Sequence, residues 1–196
     1  MVLRENHYEL AFEEYLRAAT IPYVAVDESR RALLSNVSLK SMDFIVYGSG
    51  SENLLIDIKG RQFPTGFSEE NQNSGHKWVN WATNDDVLSL LQWEQVFGDN
   101  FSACFVFAYE VLSPRWYGEL HDLFVFKERV YSFYLVPVRD FYVEMKRLST
   151  SWDTYSLPAA VYRRLATPFR DHFQHASTSP VPLSNTSSVE FPAASA

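Results

Sequence analysis

The sequence has one cysteine, no long apolar run, and no cluster of cysteine and histidine residues. A single thiol, Cys104, cannot form an internal disulfide, and its position inside an apolar run favours a buried group in a reducing, cytoplasmic setting. No stretch approaches 18 uncharged apolar residues and no apolar signal segment opens the chain, so we expect neither membrane insertion nor secretion. The five histidines are too scattered to suggest a zinc site, and no glycine-rich phosphate loop is present.

Basic residues are also scarce, because the formal net charge is −7, which argues against a general nucleic-acid coat. Residues 63–126 hold 2 basic and 9 acidic side chains, whereas residues 127–175 hold 8 basic and 5 acidic ones. Any contact with nucleic acid must therefore be local. The candidates for it are Lys40, Lys59, Arg61 and the arginine-rich third segment.

The composition is 46% hydrophobic and 16% aromatic, which is enough for a sizeable core. We expect one domain over residues 1–175. Residues 176–196 are rich in serine, proline and alanine and carry one charge, which predicts a disordered tail.

The informative stretch is residues 41–62, where two apolar runs flank a Gly-Ser-Gly segment and predict a hairpin. Strand side chains alternate between faces, so Asp57 and Lys59 share one face of the second strand. If the hairpin brings Asp43 beside Asp57, two carboxylates and one ammonium converge at one end of a sheet. The alternative is a local Asp57–Lys59 ion pair at a strand end with a solvated Asp43, and this is the more common meaning of an isolated Asp-x-Lys.

The rest of the chain predicts alternating helices and strands. Helices are expected at 7–19, 83–97, 138–147 and within 155–166, a strand at 21–26, a buried strand at 101–109, and a hairpin from 123–126 and 129–136. Residues 63–75 show no period and predict a long loop. Trp78 and Trp81 suit either base stacking or the core, and the core is favoured. The helix dipole suffices to explain Asp85 and Asp86 at a helix start.

The first helix supplies two further acids, Glu9 and Glu13, one turn apart. Glu13 has Arg17 as an i,i+4 partner, whereas Glu9 stands near the helix start, close to the expected sheet end. Glu9 is therefore preferred as a site residue, and Glu13 is the second candidate.

The order helix, strand, hairpin with Asp…Asp-x-Lys, helix, buried strand resembles the PD-(D/E)XK nuclease superfamily. Asp43 matches the first acid of its motif, and Asp57 and Lys59 match the second acid and the lysine. Met42 stands where that motif often has a proline. The resemblance implies a restriction-endonuclease-like α/β fold with an α-β-β-β-α-β core and a mixed central sheet, here with an extra C-terminal hairpin and helices.

The chain also resembles a bacterial family named for the motif HYExAFE, which is matched by residues 7–13. Further matches lie at residues 38–44 and 57–61, and the resemblance extends over roughly residues 7–165. This second resemblance supports the match of Asp43 and Asp57 to the two acids of the nuclease motif.

The superfamily resemblance implies a metal-dependent phosphodiester hydrolase acting on nucleic acid, with DNA as the expected substrate and Mg²⁺ or Mn²⁺ as cofactor. Asp43, Asp57 and Glu9 would be metal ligands, Lys59 would act on the water or the transition state, and Glu13 is the alternative helix acid. The expected substrate contacts are Lys40, Arg61, Gln62, Arg30 and Arg31. Two alternatives stay open: a catalytically silent nuclease-like domain that binds nucleic acid or a protein partner, and an interaction module with coincidental acids.

Overall fold

The computed structural model describes residues 6–27, 32–34, 37–48, 52–66 and 78–174. The helices in this part of the chain are α1 (His7–Ala18), α2 (Asn84–Phe97), a 3-10 helix (Pro114–Glu119), α3 (Val138–Glu144), α4 (Ala159–Leu165) and α5 (Phe169–Gln174). The strands are β1 (Tyr23–Ala25), β2 (Ala32–Leu34), β3 (Val37–Leu39), β4 (Phe44–Val46), β5 (Asn53–Phe63), β6 (Ala82–Thr83), β7 (Phe101–Val111), β8 (Phe124–Phe126), β9 (Arg129–Pro137), β10 (Lys146–Ser149), β11 (Thr154–Ser156) and β12 (Thr167–Pro168).

A mixed central sheet organises the molecule, with strand order β1-β4-β5-β7-β9-β12 and β8 added beside β9. β4 pairs antiparallel with β5, β5 pairs parallel with β7, and β7 pairs antiparallel with β9. The path α1, β1, β4, β5, α2, β7 is the α-β-β-β-α-β order that the sequence predicts. The α/β fold class and the additional β8–β9 hairpin are therefore confirmed.

Helix α1 begins at the N-cap Asn6, whose side chain accepts from the backbone N–H of Tyr8 at 3.1 Å. Its apolar side, with Phe12 and Leu16 fully buried, packs on one face of the sheet. Helices α2, α3 and α4 pack on the opposite face together with Leu55 of β5. Both faces of β5 and β7 are consequently covered, which explains the nearly continuous apolar run of β7.

Helix α2 begins with a capping box between Thr83 and Asp86 and ends at Gly98. Gly98 has φ +85°, in the left-handed region where glycine carries no steric cost. The predicted helix at 83–97 is confirmed to within one residue.

One predicted helix is shorter than expected. Residues 138–147 were predicted to be helical, but α3 ends at Glu144 and Met145 is already extended. The chain then forms β10, which pairs with β11, and β11 pairs in turn with β6. The β11–β6 pairing joins segments about 70 residues apart, so tertiary contacts override the local helical pattern here.

The two tryptophans predicted as core residues differ in burial. Trp78 packs edge-on against the rings of Phe63, Tyr109 and Tyr134 in the core. Trp81 is 38% exposed, so its prediction as a core anchor is wrong. It lies between the buried residues Asn80 and Ala82, so its side chain alone points outward at this position.

Several predictions fall outside the described residues: Arg30 and Arg31, most of the loop predicted at 63–75, and the tail at 176–196. The division into a domain over 1–175 and a tail thus stays a prediction. Cys104 is buried and free, and burial raises the pKa of its thiol. Among the described residues, no helix has both the length and the apolar character needed to cross a membrane.

Candidate functional site

The pairing of β4 with β5 brings the two predicted acids side by side. Phe44 is opposite Ile56 and Ile45 is opposite Leu55, and Asp43 comes directly before this ladder, so it lies near Asp57 and lines the same cavity. The backbone N–H of Asp43 donates to the carbonyl of Ile56 at 2.8 Å. The buried Asp43 carboxylate accepts from the backbone N–H of Ile58 at 2.5 Å. The hairpin prediction is therefore confirmed, and Asp43 is built into the sheet rather than solvated.

Lys59 lies between carboxylates of two different elements. Its Nζ is 2.5 Å from Oδ2 of Asp57 on the same strand and 2.9 Å from Oδ2 of Asp86 on α2. Burial alone would lower the pKa of Lys59, but the negative charges of Asp57 and Asp86 outweigh it and raise this pKa above the ordinary value. The side chain is therefore a fixed ammonium at neutral pH.

Asp86 is the site residue that the sequence analysis missed. Its Oδ1 is 2.8 Å from Nζ of Lys40, and its Oδ2 accepts from the backbone N–H of Thr83 at 3.0 Å. Burial raises the pKa of Asp86, but the two lysines and the N-cap hydrogen bond reverse this effect and hold it well below 3.8. The helix-dipole explanation was thus incomplete. The Thr-x-x-Asp spacing indicated the cap, but the contact with Lys59 depends on tertiary packing.

The two acids of α1 occupy different environments. Glu9 lies on the side of the helix that faces the strand carboxylates, and its Oε1 accepts from Asn6 Nδ2 at 2.6 Å. Glu13 is 2.6 Å from Arg17 and accepts a hydrogen bond from the hydroxyl of Tyr23 at 2.9 Å. The geometry therefore favours Glu9 over Glu13 as the helix acid.

A glycine in β5 permits this approach of α1. The ring of Tyr8 lies directly against Gly60, where an added Cβ would be only 2.2 Å from Tyr8 Cδ2. Because Gly60 follows Lys59 and Tyr8 precedes Glu9, this contact brings the acid of α1 next to the strand that carries Asp57 and Lys59. The glycine in the Asp57–Arg61 motif thus has a positional role.

These side chains share one cavity of about 350 Å³. It is lined by Asn6, Glu9, Lys40, Ser41, Asp43, Asp57, Ile58, Lys59 and Asp86. Carboxylate oxygens are the hard donors that Mg²⁺ and Mn²⁺ prefer. Within the described residues, no three His, Cys, Asp or Glu side chains form a ready-made metal cage. Mg²⁺ needs only one or two carboxylates and retains several waters, so the donor set of Glu9, Asp43 and Asp57 fits that ion.

The predicted substrate contacts have mixed positions. Lys40 lines the cavity through its pair with Asp86. Arg61 is on the same strand face as Lys59, but its guanidinium donates to the backbone carbonyls of Gly60 and Trp81 and stacks 4.1 Å from the Trp81 ring centroid. Gln62 is exposed on the other face of β5 and does not line the cavity. Their roles in substrate binding stay predictions.

A larger cavity of about 550 Å³ lies elsewhere, with Trp78, Tyr134, Tyr162, Arg163 and Arg170 among the residues around it. It contains none of the acids or lysines predicted from the sequence. We place the candidate site in the smaller cavity because the carboxylates and the ammonium converge there.

No family model and no curated protein matches this sequence. Among solved structures, the chain is similar to a Holliday junction resolvase from the archaeal hyperthermophile Archaeoglobus fulgidus, with a TM-score of 0.47 and 15% sequence identity. The match covers 86% of this chain and 93% of the resolvase. Likeness at this level carries no argument about activity, and the resemblance to the HYExAFE family stays a prediction.

Proposed function

We propose that this chain is a metal-dependent nuclease that hydrolyses phosphodiester bonds in nucleic acid, with DNA as the expected substrate. One observation carries the proposal: Glu9, Asp43, Asp57 and a protonated Lys59 line a single cavity. A structural ion pair between Asp57 and Lys59 alone would not require two more carboxylates in the same place. Placing these carboxylates in one cavity costs free energy unless a cation binds there.

Asp43 and Asp57 would hold the metal, and Glu9 would complete its shell directly or through water. A bound Mg²⁺ or Mn²⁺ supplies an acidified water and positive charge beside the phosphate. Asp43 is suited to this role because the N–H of Ile58 fixes the orientation of its carboxylate. A carboxylate that a backbone hydrogen bond already orients does not have to reorient when the metal binds.

Lys59 would donate hydrogen bonds to the attacking water or to the phosphate oxygens. We assign it as a hydrogen-bond donor because its Nζ lies between the carboxylates of Asp57 and Asp86, which favour the protonated form. Asp86 and Lys40 touch neither acid of the strand pair in the described contacts and act as positioning residues for the ammonium. In the reaction, the water oxygen bonds to phosphorus, the bond from phosphorus to the leaving oxygen breaks, the water releases one proton to solvent, and the leaving oxygen takes up one proton from solvent.

The test is a panel of end-labelled single-stranded DNA, duplex DNA, branched DNA and RNA, each incubated with Mg²⁺, Mn²⁺ or EDTA. Cleavage that needs metal and disappears in Lys59→Ala supports the proposal. Glu13→Gln is the matched control because Glu13 is held by Arg17 outside the cavity, and it should retain cleavage.

The competing function is a silent nuclease-like domain that binds nucleic acid or protein. It predicts no cleavage of any substrate and no rise in melting temperature when metal is added, since a ligand of the folded state stabilises it by mass action. That pair of negative results would replace the nuclease proposal.

A further inference from the structure

A small second sheet borders the candidate site. β10 and β11 form a hairpin, and β11 continues its pairing onto β6, with Thr154 opposite Thr83 and Tyr155 opposite Ala82. The carbonyl of Asp153 accepts from the backbone N–H of Asn84, the first residue of α2, at 2.9 Å. Asn84 is only two residues before Asp86, so the turn of the hairpin lies beside the start of α2, the helix that supplies Asp86 to the cavity.

Two large apolar side chains of the hairpin are exposed to solvent. Trp152 at its turn is 78% exposed, and Leu148 is also exposed. The turn is ordered by its serines, because Ser149 Oγ accepts from the backbone N–H of Trp152 at 3.3 Å. An indole that is 78% exposed at the tip of a hairpin leaves its ring face open to a partner.

Positive charge accompanies these rings. Lys146 is exposed on β10, and the guanidinium of Arg147 lies 5.6 Å from the Tyr155 ring centroid. On the other side of β6, Arg61 stacks on the partly exposed Trp81. Asp153 offsets part of this charge through its contact with Arg147 at 3.4 Å. Cations beside exposed aromatic rings complement a chain of phosphates that carries unpaired bases.

We propose that the β10–β11 hairpin binds unpaired nucleotides of a nucleic acid, with Trp152 stacking on a base and Lys146 contacting a phosphate. The occupant is a single-stranded segment and not a duplex, because bases that remain paired and stacked in a helix offer no open face to an indole. The inference rests on the proposed function only in assigning these nucleotides to the strand that enters the cavity. The substrate class it predicts is a single strand, an overhang or a branch point.

The experiment measures binding of labelled oligonucleotides by fluorescence anisotropy in EDTA, where no cleavage occurs. Probes of equal length are single-stranded DNA, single-stranded RNA and blunt duplex DNA. Trp152→Ala should weaken single-strand binding roughly 5-fold to 150-fold, as expected for loss of one base-stacking ring, and duplex binding by less than about 2-fold. Trp152→Phe keeps a ring and should recover most of the affinity.

Two controls address charge and unspecific aromatic effects. Tyr47→Ala removes a ring that is 40% exposed at the end of β4 remote from Asp43, and it should leave all affinities unchanged. Lys146→Ala should weaken single-strand binding and make the dependence of log K on log salt shallower by about 0.7 for the single strand. The DNA and RNA arms show whether the sugar matters.

The inference is overturned if Trp152→Ala and Trp152→Phe leave single-strand binding unchanged, or if both weaken single strand and duplex equally. It is also overturned if the Trp152 variants lose binding to anionic vesicles while oligonucleotide binding is intact. Failure of the nuclease proposal looks different: no probe is cut with metal present, yet binding still depends on Trp152. Failure of the hairpin inference alone leaves metal-dependent cleavage that is insensitive to Trp152.

Discussion

Nζ of Lys59 lies 2.9 Å from Oδ2 of Asp86, and this contact joins the strand that carries the predicted motif to the helix that follows it. The same ammonium is 2.5 Å from Asp57, so two carboxylates share one positive charge. Lys40 contributes a second cation on the far side of Asp86. The three ion pairs therefore share their members. Removing either Asp57 or Asp86 still leaves Lys59 beside the other carboxylate.

Asp86→Asn should reduce the free energy of unfolding by about 1–3 kcal/mol at pH 7, because a charged hydrogen bond to a buried lysine is lost. The folded-state pKa of Asp86 is lowered, so its contribution is present above the unfolded value of 3.8 and fades as the pH falls below it. Urea denaturation at pH 7 and near pH 3.5 should therefore show a smaller difference from the parent in acid.

Asp85→Asn is the matched control. Asp85 is in the same helical turn, but its side chain is 57% exposed and its distance to Nζ of Lys40 is longer, at 3.6 Å. It should change stability by less than about 0.5 kcal/mol. Equal losses for Asp85→Asn and Asp86→Asn would contradict the role given to the Lys59 contact.

The sequence predicted what local patterns determine. Alternation along β5 and the predicted hairpin offered Asp43 and Asp57 as neighbours if the two strands paired, and the i,i+4 pair with Arg17 favoured Glu9 over Glu13 as the helix acid. Asp86 could not be assigned, because its N-cap role already explained its identity. Its second role depends on where α2 packs on the sheet.

The β10–β11 hairpin was missed for a related reason. Its strands are three and four residues long, and the third strand of its sheet, β6, has only two residues. Such short strands show no measurable period, and the pairing of Tyr155 with Ala82 is a long-range contact. Local propensity therefore favoured continuing the preceding helix.

Gly60→Ala should destabilise the fold by about 1–3 kcal/mol and weaken metal binding, because the new Cβ would overlap the ring of Tyr8 and push α1, with Glu9, away from β5. Gly118→Ala is the control: its Cβ meets no atom within 4 Å and should have little effect. Thermal melts in EDTA and with Mn²⁺ measure both consequences. A Gly60→Ala protein with parental stability and parental metal response would show that the close approach does not position Glu9.

Glu9→Gln should lower metal affinity about tenfold or more, whereas Glu13→Gln should leave it unchanged, because only Glu9 lines the cavity. Isothermal titration with Mn²⁺ measures the affinity directly. Glu13→Gln should instead lower stability slightly, since Arg17 loses the negative charge of its partner and Tyr23 donates to a neutral oxygen. The reverse pattern of metal affinities would exchange the roles of the two acids.

Asp57→Asn should abolish metal-dependent cleavage and change the free energy of unfolding in EDTA by less than about 1 kcal/mol. Cleavage is lost because the variant lacks a hard anionic ligand at the cavity. Stability is retained because Lys59 keeps Asp86 as its ion-pair partner, and because the charge repulsion between Asp57 and the neighbouring Asp43 is removed.

A purely structural ion pair predicts a different result for the same variant. If Asp57 served only to neutralise Lys59, its loss would leave Asp86 to compensate both Lys59 and Lys40, with no relieved repulsion at a metal site to offset the change, and would cost about 3 kcal/mol. Chemical denaturation in EDTA, followed by the same measurement with Mn²⁺, separates the two. The parent should gain stability from the metal and Asp57→Asn should not. A loss of several kcal/mol in EDTA, together with a parent that does not respond to metal, would leave the Asp57–Lys59 pair as a structural element and end the nuclease proposal.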